Sequence, residues 1–239
     1  MKIQVKRYVS EAEVKEAILE YEVDLQNATL LEVLQEIKTK QDASLSFSSG
    51  CRSSVCGSCS VRVNGREVLA CSYKVQEGDL VEPLQNVPVL RDLVVDMSRA
   101  YAFNAKAKAW QSVLSHGVSL TPEDEKRNEI QSDCILCGSC YSACPVYNVN
   151  EEFLGPFALT RVWRYVSDKR EDDNSAKLAV IQTSGVWDCT LCNACTIVCP
   201  QNISSKSDIE KLRSKSVMEG YEDPSFAKSF GGFESGFTF

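Results

Sequence analysis

Residues 188–200 read DCTLCNACTIVCP, and residues 133–145 read DCILCGSCYSACP. Both space four cysteines as C-x2-C-x2-C-x3-C and close on proline, and a pattern this specific, written twice, decides how the C-terminal half must fold. The chain holds 12 cysteines and 1 histidine. The other four cysteines, Cys51, Cys56, Cys59 and Cys71, form a third group upstream. Disulfides are a poor use for this spacing. Cysteines two residues apart do not reach the usual geometry of a structural bridge, the chain is long, and its first stretch alternates charged and apolar residues without the apolar core of a secretory signal.

In C-x2-C-x2-C-x3-C-P the first three thiolates grip three irons of one cubane, while the fourth, turned away before proline, ligates the other cluster. The spacing predicts one 4Fe-4S cluster on Cys134, Cys137, Cys140 and Cys199, and a second on Cys144, Cys189, Cys192 and Cys195. Such crossing locks the two knots together and keeps the clusters close, with Pro145 and Pro200 steering the chain onward. Cys51-x4-Cys56-x2-Cys59-x11-Cys71 has the plant-type spacing of a 2Fe-2S cluster, three sulfurs from a tight loop and one from a neighbouring strand. The small residues Gly50, Gly57 and Ser58 are expected to let backbone N–H groups approach the sulfurs. Zinc is the competing reading. Zinc sites pair two C-x2-C or Cys/His units, which a three-cysteine loop does not match.

Composition excludes other classes. The net charge is -7 and no Lys/Arg cluster appears, so a nucleic-acid face is not expected. No apolar run reaches the length of a membrane span, since VPVLRDLVVDM is broken by Arg91 and Asp92; any membrane link must pass through another subunit. There is no dinucleotide fingerprint, no Walker loop and no nucleophile with a histidine partner, so no catalytic residue is assigned. His116 is read as capping a helix end.

The fold class expected is α+β, with three parts. Residues 1–100 form a β-grasp 2Fe-2S ferredoxin domain, 101–223 an all-helical bacterial-ferredoxin-like domain binding two cubane-type clusters, and 224–239 a flexible or docking tail. MKIQVKRYV and ILEYEVDL alternate as half-buried strands. TLLEVLQEIKTKQ is a helix, with Thr29 and Glu32 at capping-box spacing and Leu30, Leu31, Leu34 and Ile37 on one face. Asn64-Gly65 turns a hairpin that sets Cys59 and Cys71 at its ends, and LVEPLQ follows as a short strand whose Pro83 suits an edge. Beyond residue 100, AFNAKAKAWQSVL, FALTRVWRYVSDKR, AKLAVIQTSGVW and SKSDIEKLRSKSVM are helix-prone.

The ordered run of SGCRSSVCGSCSVRVNGREVLAC, LRDLVVDMS, CILCGSCYSACP, FLGPFALTRVWRYVSDKRED and CTLCNACTIVCP resembles the iron-sulfur subunit of succinate dehydrogenases and fumarate reductases across most of residues 45–215. The resemblance implies an electron-transfer subunit whose partners are a FAD-bearing catalytic flavoprotein and a membrane-associated, quinone-linked subunit. The 2Fe-2S part would face the flavin and the helical part the membrane side. It also implies a place peripheral on the cytoplasmic membrane, the cytoplasmic face being favoured and the periplasmic face reachable by co-export with a twin-arginine flavoprotein. A thiol-dependent or heterodisulfide-reductase-like complex and a stand-alone ferredoxin are the alternatives.

Departures from the family pattern refine this. Most relatives lack a cysteine at the place of Cys192 and hold a 3Fe-4S cluster there; with Cys192 as ligand the terminal centre becomes a second 4Fe-4S cluster, without it 3Fe-4S. An oxidised cubane is already half ferrous, so a lower terminal potential is expected. The tryptophan and histidine that line the family's quinone site are replaced by Val146-Tyr147-Asn148-Val149 and by Thr190. This is similar to the non-classical branch whose third subunit is a cysteine-rich protein related to heterodisulfide reductase. Ser54 stands where relatives commonly show glycine.

Overall fold

The computed structural model describes residues 1–8, 16–112 and 117–225. His116 and all but the first two residues of the 224–239 segment lie outside the described residues. The N-terminal part is built from β1 (Lys2–Tyr8), β2 (Glu16–Glu22), α1 (Leu30–Lys40), β3 (Ser60–Val63), β4 (Arg66–Leu69) and β5 (Leu80–Glu82). The sheet order is β2-β1-β5-β3-β4, with β1 and β5 parallel and the other neighbours antiparallel, the grasp arrangement. Ile3 and Val5 of β1 bury against Leu30, Leu31, Val33, Leu34 and Ile37 of α1. α1 begins where Thr29 and Glu32 satisfy each other's backbone N–H groups, a cap worth about 1 kcal/mol.

Two strand expectations are corrected. β2 is an edge strand in which Tyr21 alone is buried, and Ile18 and Leu19 stand exposed, so the alternation of ILEYEVDL marks pairing with β1 more than burial. β5 is the middle strand, not an edge; Pro83 falls just past its last residue and costs the ladder nothing. VPVLRDLVVDM also folds into a small hairpin that hydropathy alone hides, β6 (Val89–Arg91) and β7 (Val94–Val95), turning at Asp92 with φ 47°. Asp92 is fully buried and accepts from Arg7 Nε at 2.9 Å and Ser46 N at 2.8 Å, tying this hairpin to β1.

The second part contains α2 (Ser98–Lys106), α3 (Pro122–Lys126), α4 (Glu129–Ser132), α5 (Ser139–Ser142), α6 (Pro145–Val149), α7 (Pro156–Val166), α8 (Asn174–Val180), the 3-10 turn Val186–Asp188, α9 (Ala194–Ile197) and α10 (Ser205–Met218). Two helices are shorter than their sequence suggests. α2 stops before Lys108 at φ 51°, and α8 stops before the reversal at Ser184, φ 53°, that returns Val186 N to Ile181 O at 3.0 Å. α7 is buried along most of its length and forms the axis of the second core. Tyr141 packs edge-on against Tyr147 and Phe157, with centroids 4.4 and 4.5 Å apart, each pair worth roughly 1 kcal/mol beyond area burial.

The two cores meet through polar contacts. Ser142 on α5 donates to Glu67 Oε1 at 2.7 Å and accepts from Gln85 N at 3.0 Å, while Asn86 Nδ2 reaches Ser142 O at 2.7 Å. Gln201 Nε2, just after the last knot, donates to Ser54 O at 3.0 Å in the upstream cysteine loop. The Ser142 bonds join β4 and residues 85–86 to the first knot, and the Gln201 bond joins the upstream loop to the end of the last knot.

Candidate iron-sulfur sites

The loop from Gly50 to Gly57 curls because Arg52, Ser54 and Gly57 take left-handed angles, φ 59, 61 and 71°. Left-handed residues of this kind turn successive N–H groups inward, a concavity suited to negative charge. Ser53, Val55 and Cys56 N–H groups donate to Cys51 Sγ at 3.4, 3.3 and 3.3 Å, Cys51 N to Cys56 Sγ at 3.3 Å, and Ser54 N to Cys71 Sγ at 3.3 Å. Cys59 and Cys71 come from the ends of the β3–β4 hairpin, which Ala70 N closes onto Cys59 O at 3.0 Å. Ser54 adopts the angle a glycine would, and adds a hydroxyl 3.6 Å from Cys71 Sγ.

Of the small residues expected to admit N–H groups, Gly50 does lie against a sulfur: a Cβ there would sit 2.8 Å from Cys56 Sγ. Gly57 has another reason. Its Cβ would sit 2.7 Å from Cys137 Cβ and 2.9 Å from Cys137 Cα, so the glycine is where the upstream loop touches the first knot. Cys51 is exposed and its thiol is pulled down to about 6, first by the Ser53 backbone N–H. Cys59 is buried, and desolvation pushes it up to about 11.

The two repeats fold alike. Leu136 and Gly138 in one, Leu191 and Asn193 in the other, occupy the same two places and are all left-handed, at φ 52, 83, 56 and 71°. Each reversal wraps C-x2-C-x2-C into a coil, and a single turn of helix, α5 or α9, then carries the third cysteine inward. Proline follows the fourth cysteine in both, and in the first repeat it opens α6.

The outcome is two small cavities of similar size, each walled by cysteines. Cys134, Cys137, Cys140 and Cys199 line the first. Cys144, Cys189, Cys192 and Cys195 line the second. Each cavity therefore takes three thiols from one repeat and the last thiol of the other. In each cavity four thiols stand around a space, the donor set of a cubane.

Burial raises thiols in both cavities. Cys134 is pushed up to about 11, Cys195 to about 12, and Cys140 well above its ordinary value, in each case by desolvation first. Left alone these groups are neutral thiols, and the positive charge of bound iron is what would hold them as thiolates. Leu191 N on Cys189 Sγ and Ile203 N on Cys199 Sγ, both 3.4 Å, supply donors that favour the charged form. The donor set, the enclosed spaces and these N–H groups fit iron-sulfur clusters.

At the places where family relatives line a quinone site, Tyr147 turns inward, its ring 4.0 Å under the Arg99 guanidinium and its hydroxyl accepting from Arg99 Nε at 2.9 Å. Val149 is exposed, and Val146 and Thr190 line the second cavity. Sequence reasoning missed the residues that join the sites, Glu67, Gln85, Asn86, Ser142 and Gln201; their partners lie far away along the chain and no local pattern marks them.

Residues 2–102 match the family described as the 2Fe-2S iron-sulfur cluster binding domain, and residues 130–203 match the 4Fe-4S dicluster domain. The chain is 36% identical over 225 residues to the 8-methylmenaquinol:fumarate reductase iron-sulfur subunit of Wolinella succinogenes, covering 87% of this chain and 70% of that one. It is 36% identical over 196 residues to a subunit of the fumarate reductase (CoM/CoB) of Methanothermobacter marburgensis, covering 80% of this chain and 39% of that longer protein. A chain of the Mycobacterium smegmatis Sdh1 complex in the apo form superposes with a TM-score of 0.80 at 25% identity, covering 92% of this chain and 97% of that chain. The chain belongs to the iron-sulfur subunits of the fumarate reductase and succinate dehydrogenase family. Its cofactors are those of its two domains, 2Fe-2S and 4Fe-4S clusters, and FAD in this family resides in the partner flavoprotein. Among the described residues no helix is long and apolar enough to cross a membrane.

Proposed function

We propose that this chain is the electron wire of a quinol:fumarate reductase or succinate dehydrogenase complex, joining the FAD of a catalytic flavoprotein to a quinone-linked partner. Residues 1–100 hold the 2Fe-2S cluster on Cys51, Cys56, Cys59 and Cys71, and residues 101–223 hold the other two. Cys134, Cys137, Cys140 and Cys199 ligate the first cubane, and Cys144, Cys189, Cys192 and Cys195 a second one. When bound, these clusters supply reversible one-electron transfer. The substrate site lies on the flavoprotein, and this chain contributes no catalytic residue. The single observation carrying the reading is the pair of cavities, each ringed by four cysteines that combine both repeats.

The chain's own residues do the positioning. Gly57 seats the exposed loop against the first knot, Gln201 ties it to the chain just past the last knot, the Glu67–Ser142 bond joins β4 to the first knot, and the N–H groups of residues 53–56 offset charge on the loop's sulfurs. The last knot is the exit. Cys192 is exposed, as are Ile197 of the same repeat and Val149 at the end of α6, which supports docking of a partner that accepts electrons directly. That partner is a cysteine-rich subunit with its own iron-sulfur centres, because the residues that would line a quinone pocket are replaced or turned inward. The complex sits peripherally on the cytoplasmic membrane.

Anaerobic purification of the intact complex tests this. A brown preparation with a FAD subunit, acid-labile sulfide and quinol-dependent fumarate reduction is the expected result; a colourless chain holding zinc, or a carrier with no flavoprotein, contradicts it. Reduction of fumarate by thiols instead of quinol would move the chain to the second reading, which its likeness to the CoM/CoB enzyme favours.

A further inference from the structure

Next to the first cubane cavity lies a buried acid that the electron path itself does not require. Asp208, in the first turn of α10, is 1% exposed. Gln131 Nε2 on α4 donates to its Oδ1 at 2.8 Å, and Thr160 on α7, which lines the cavity, faces the same carboxyl. Yet Gln131 Oε1 has no hydrogen-bond partner, and Asp208 Oδ2 and Thr160 Oγ1 form no well-aligned bond although the hydroxyl lies close enough to favour the ionised carboxyl. Poorly satisfied acceptors in a protein interior are costly, and two of these atoms, the carboxylate Oδ2 and the amide Oε1, can only accept while the acid is ionised, with the one Thr160 hydroxyl as the neighbouring donor.

A single proton resolves the arrangement. A carboxylic acid and a primary amide are complementary: the amide N–H donates to one carboxyl oxygen, as it already does here, and an acid O–H donates to the amide oxygen. We propose that Asp208 is a redox-linked proton site, taking one proton from solvent onto Oδ2 as the neighbouring first centre gains one electron and returning it when that electron moves on. The charge balance is closed: one electron and one proton arrive, no bond of the cluster changes, and the region's net charge is unaltered. This rests on the first cubane being held by Cys134, Cys137, Cys140 and Cys199.

The surroundings make the carboxyl suited to the role. Desolvation pushes it up to about 6 before any cluster charge is added. On its own helix Lys211 stands 3.8 Å from Oδ1 and is half exposed, a weak counter-charge. From α7, Arg161 faces Cys134 and donates to Tyr165 Oη, and Arg164 is paired with Asp168. From α4, Gln131 is neutral and Glu129 is exposed; the 3-10 turn brings Asp188, also exposed, and α9 brings no charged residue. An electron on the adjacent cavity adds negative charge and raises the carboxyl further.

The test is a potentiometric titration of the intact complex, following the first centre by EPR at several pH values. Below the carboxyl's pKa in the oxidised protein the acid is protonated in both states and the potential is flat. Above it the potential falls as pH rises, approaching about 59 mV per unit for one proton per electron, and levels off beyond the pKa of the reduced protein. Asp208→Asn keeps the hydrogen bond from Gln131 but cannot ionise, and is expected to abolish the slope. Lys211→Met, a milder surface change, removes the cation and is expected to move the sloping window to higher pH. A potential independent of pH in the unaltered complex, a slope that survives Asp208→Asn, or a window unmoved by Lys211→Met overturns the proposal while leaving the relay intact. Absence of any cubane signal at the first knot overturns both.

Discussion

Cys51 and Cys140 are the same residue prepared for the same partner element in opposite ways. Cys51 sits on an exposed loop where backbone N–H groups pull its thiol down to about 6, so the charged sulfur is favoured before metal arrives. Cys140 lies against the first cavity, and burial pushes its thiol well above the ordinary range. The upstream loop is built around negative sulfur at Cys51, while the buried Cys59 from the hairpin is pushed up to about 11 and is the one thiol there that resembles those of the knots. The knots are built around a bound cluster, because only iron can compensate the cost of ionising sulfurs in that interior. The first site should therefore be separable from its fold, and the other two should not.

The sharpest way to break this contrast is a pair of substitutions. Cys140→Ser is expected to abolish the first cubane and to cost the helical part on the order of 5 kcal/mol or more, since cluster binding there is folding energy. Cys51→Ser is expected to remove or alter the 2Fe-2S signal alone, with the helical part melting as before. Calorimetry alongside EPR compares them; equal thermal losses from both would end the distinction. Cys192→Ser acts on an exposed cysteine proposed as a ligand in the last knot and is expected to leave three thiolates, giving a 3Fe signal in the oxidised EPR spectrum and a higher terminal potential. An unchanged spectrum would mean that Cys192 is not a ligand.

Smaller effects sharpen the account. Gly57→Ala combines a left-handed backbone with a Cβ 2.7 Å from Cys137, and is expected to cost about 1–3 kcal/mol by loosening the loop from the first knot. Its signature in EPR is weaker spin coupling between the first two centres, with both spectra retained. Asn193→Gly is the least of these. The residue is already left-handed at φ 71°, where the first repeat uses Gly138, and a change within about 1 kcal/mol in thermal stability is expected.

The pattern of what could be read from sequence follows the range of the forces involved. Cysteine spacing is local, so the grouping of sulfurs could be proposed from counting alone, and Asn64-Gly65 gave its hairpin for the same reason, both residues being left-handed in the structure. The Thr29–Glu32 cap is equally local. The β6–β7 hairpin was not legible, because VPVLRDLVVDM looks like one apolar run and its turn at Asp92 depends on a buried bond from Arg7, across the domain. Nor was the central position of β5, which a proline beside a short strand argues against. Gln131 and Asp208 sit on unremarkable helical stretches 77 residues apart, and their pairing exists only once α4, α7 and α10 have packed.

The exchange of sulfurs between the two repeats is the claim on which the relay depends, and Cys199→Ser addresses it directly. EPR and Mössbauer spectra of the reconstituted or purified complex should show the first centre altered, with a site-differentiated or lost iron, while the centre held by Cys189, Cys192 and Cys195 keeps its spectrum. Loss of that last centre with the first one untouched would mean that each repeat binds its own cluster, and would contradict the crossed arrangement.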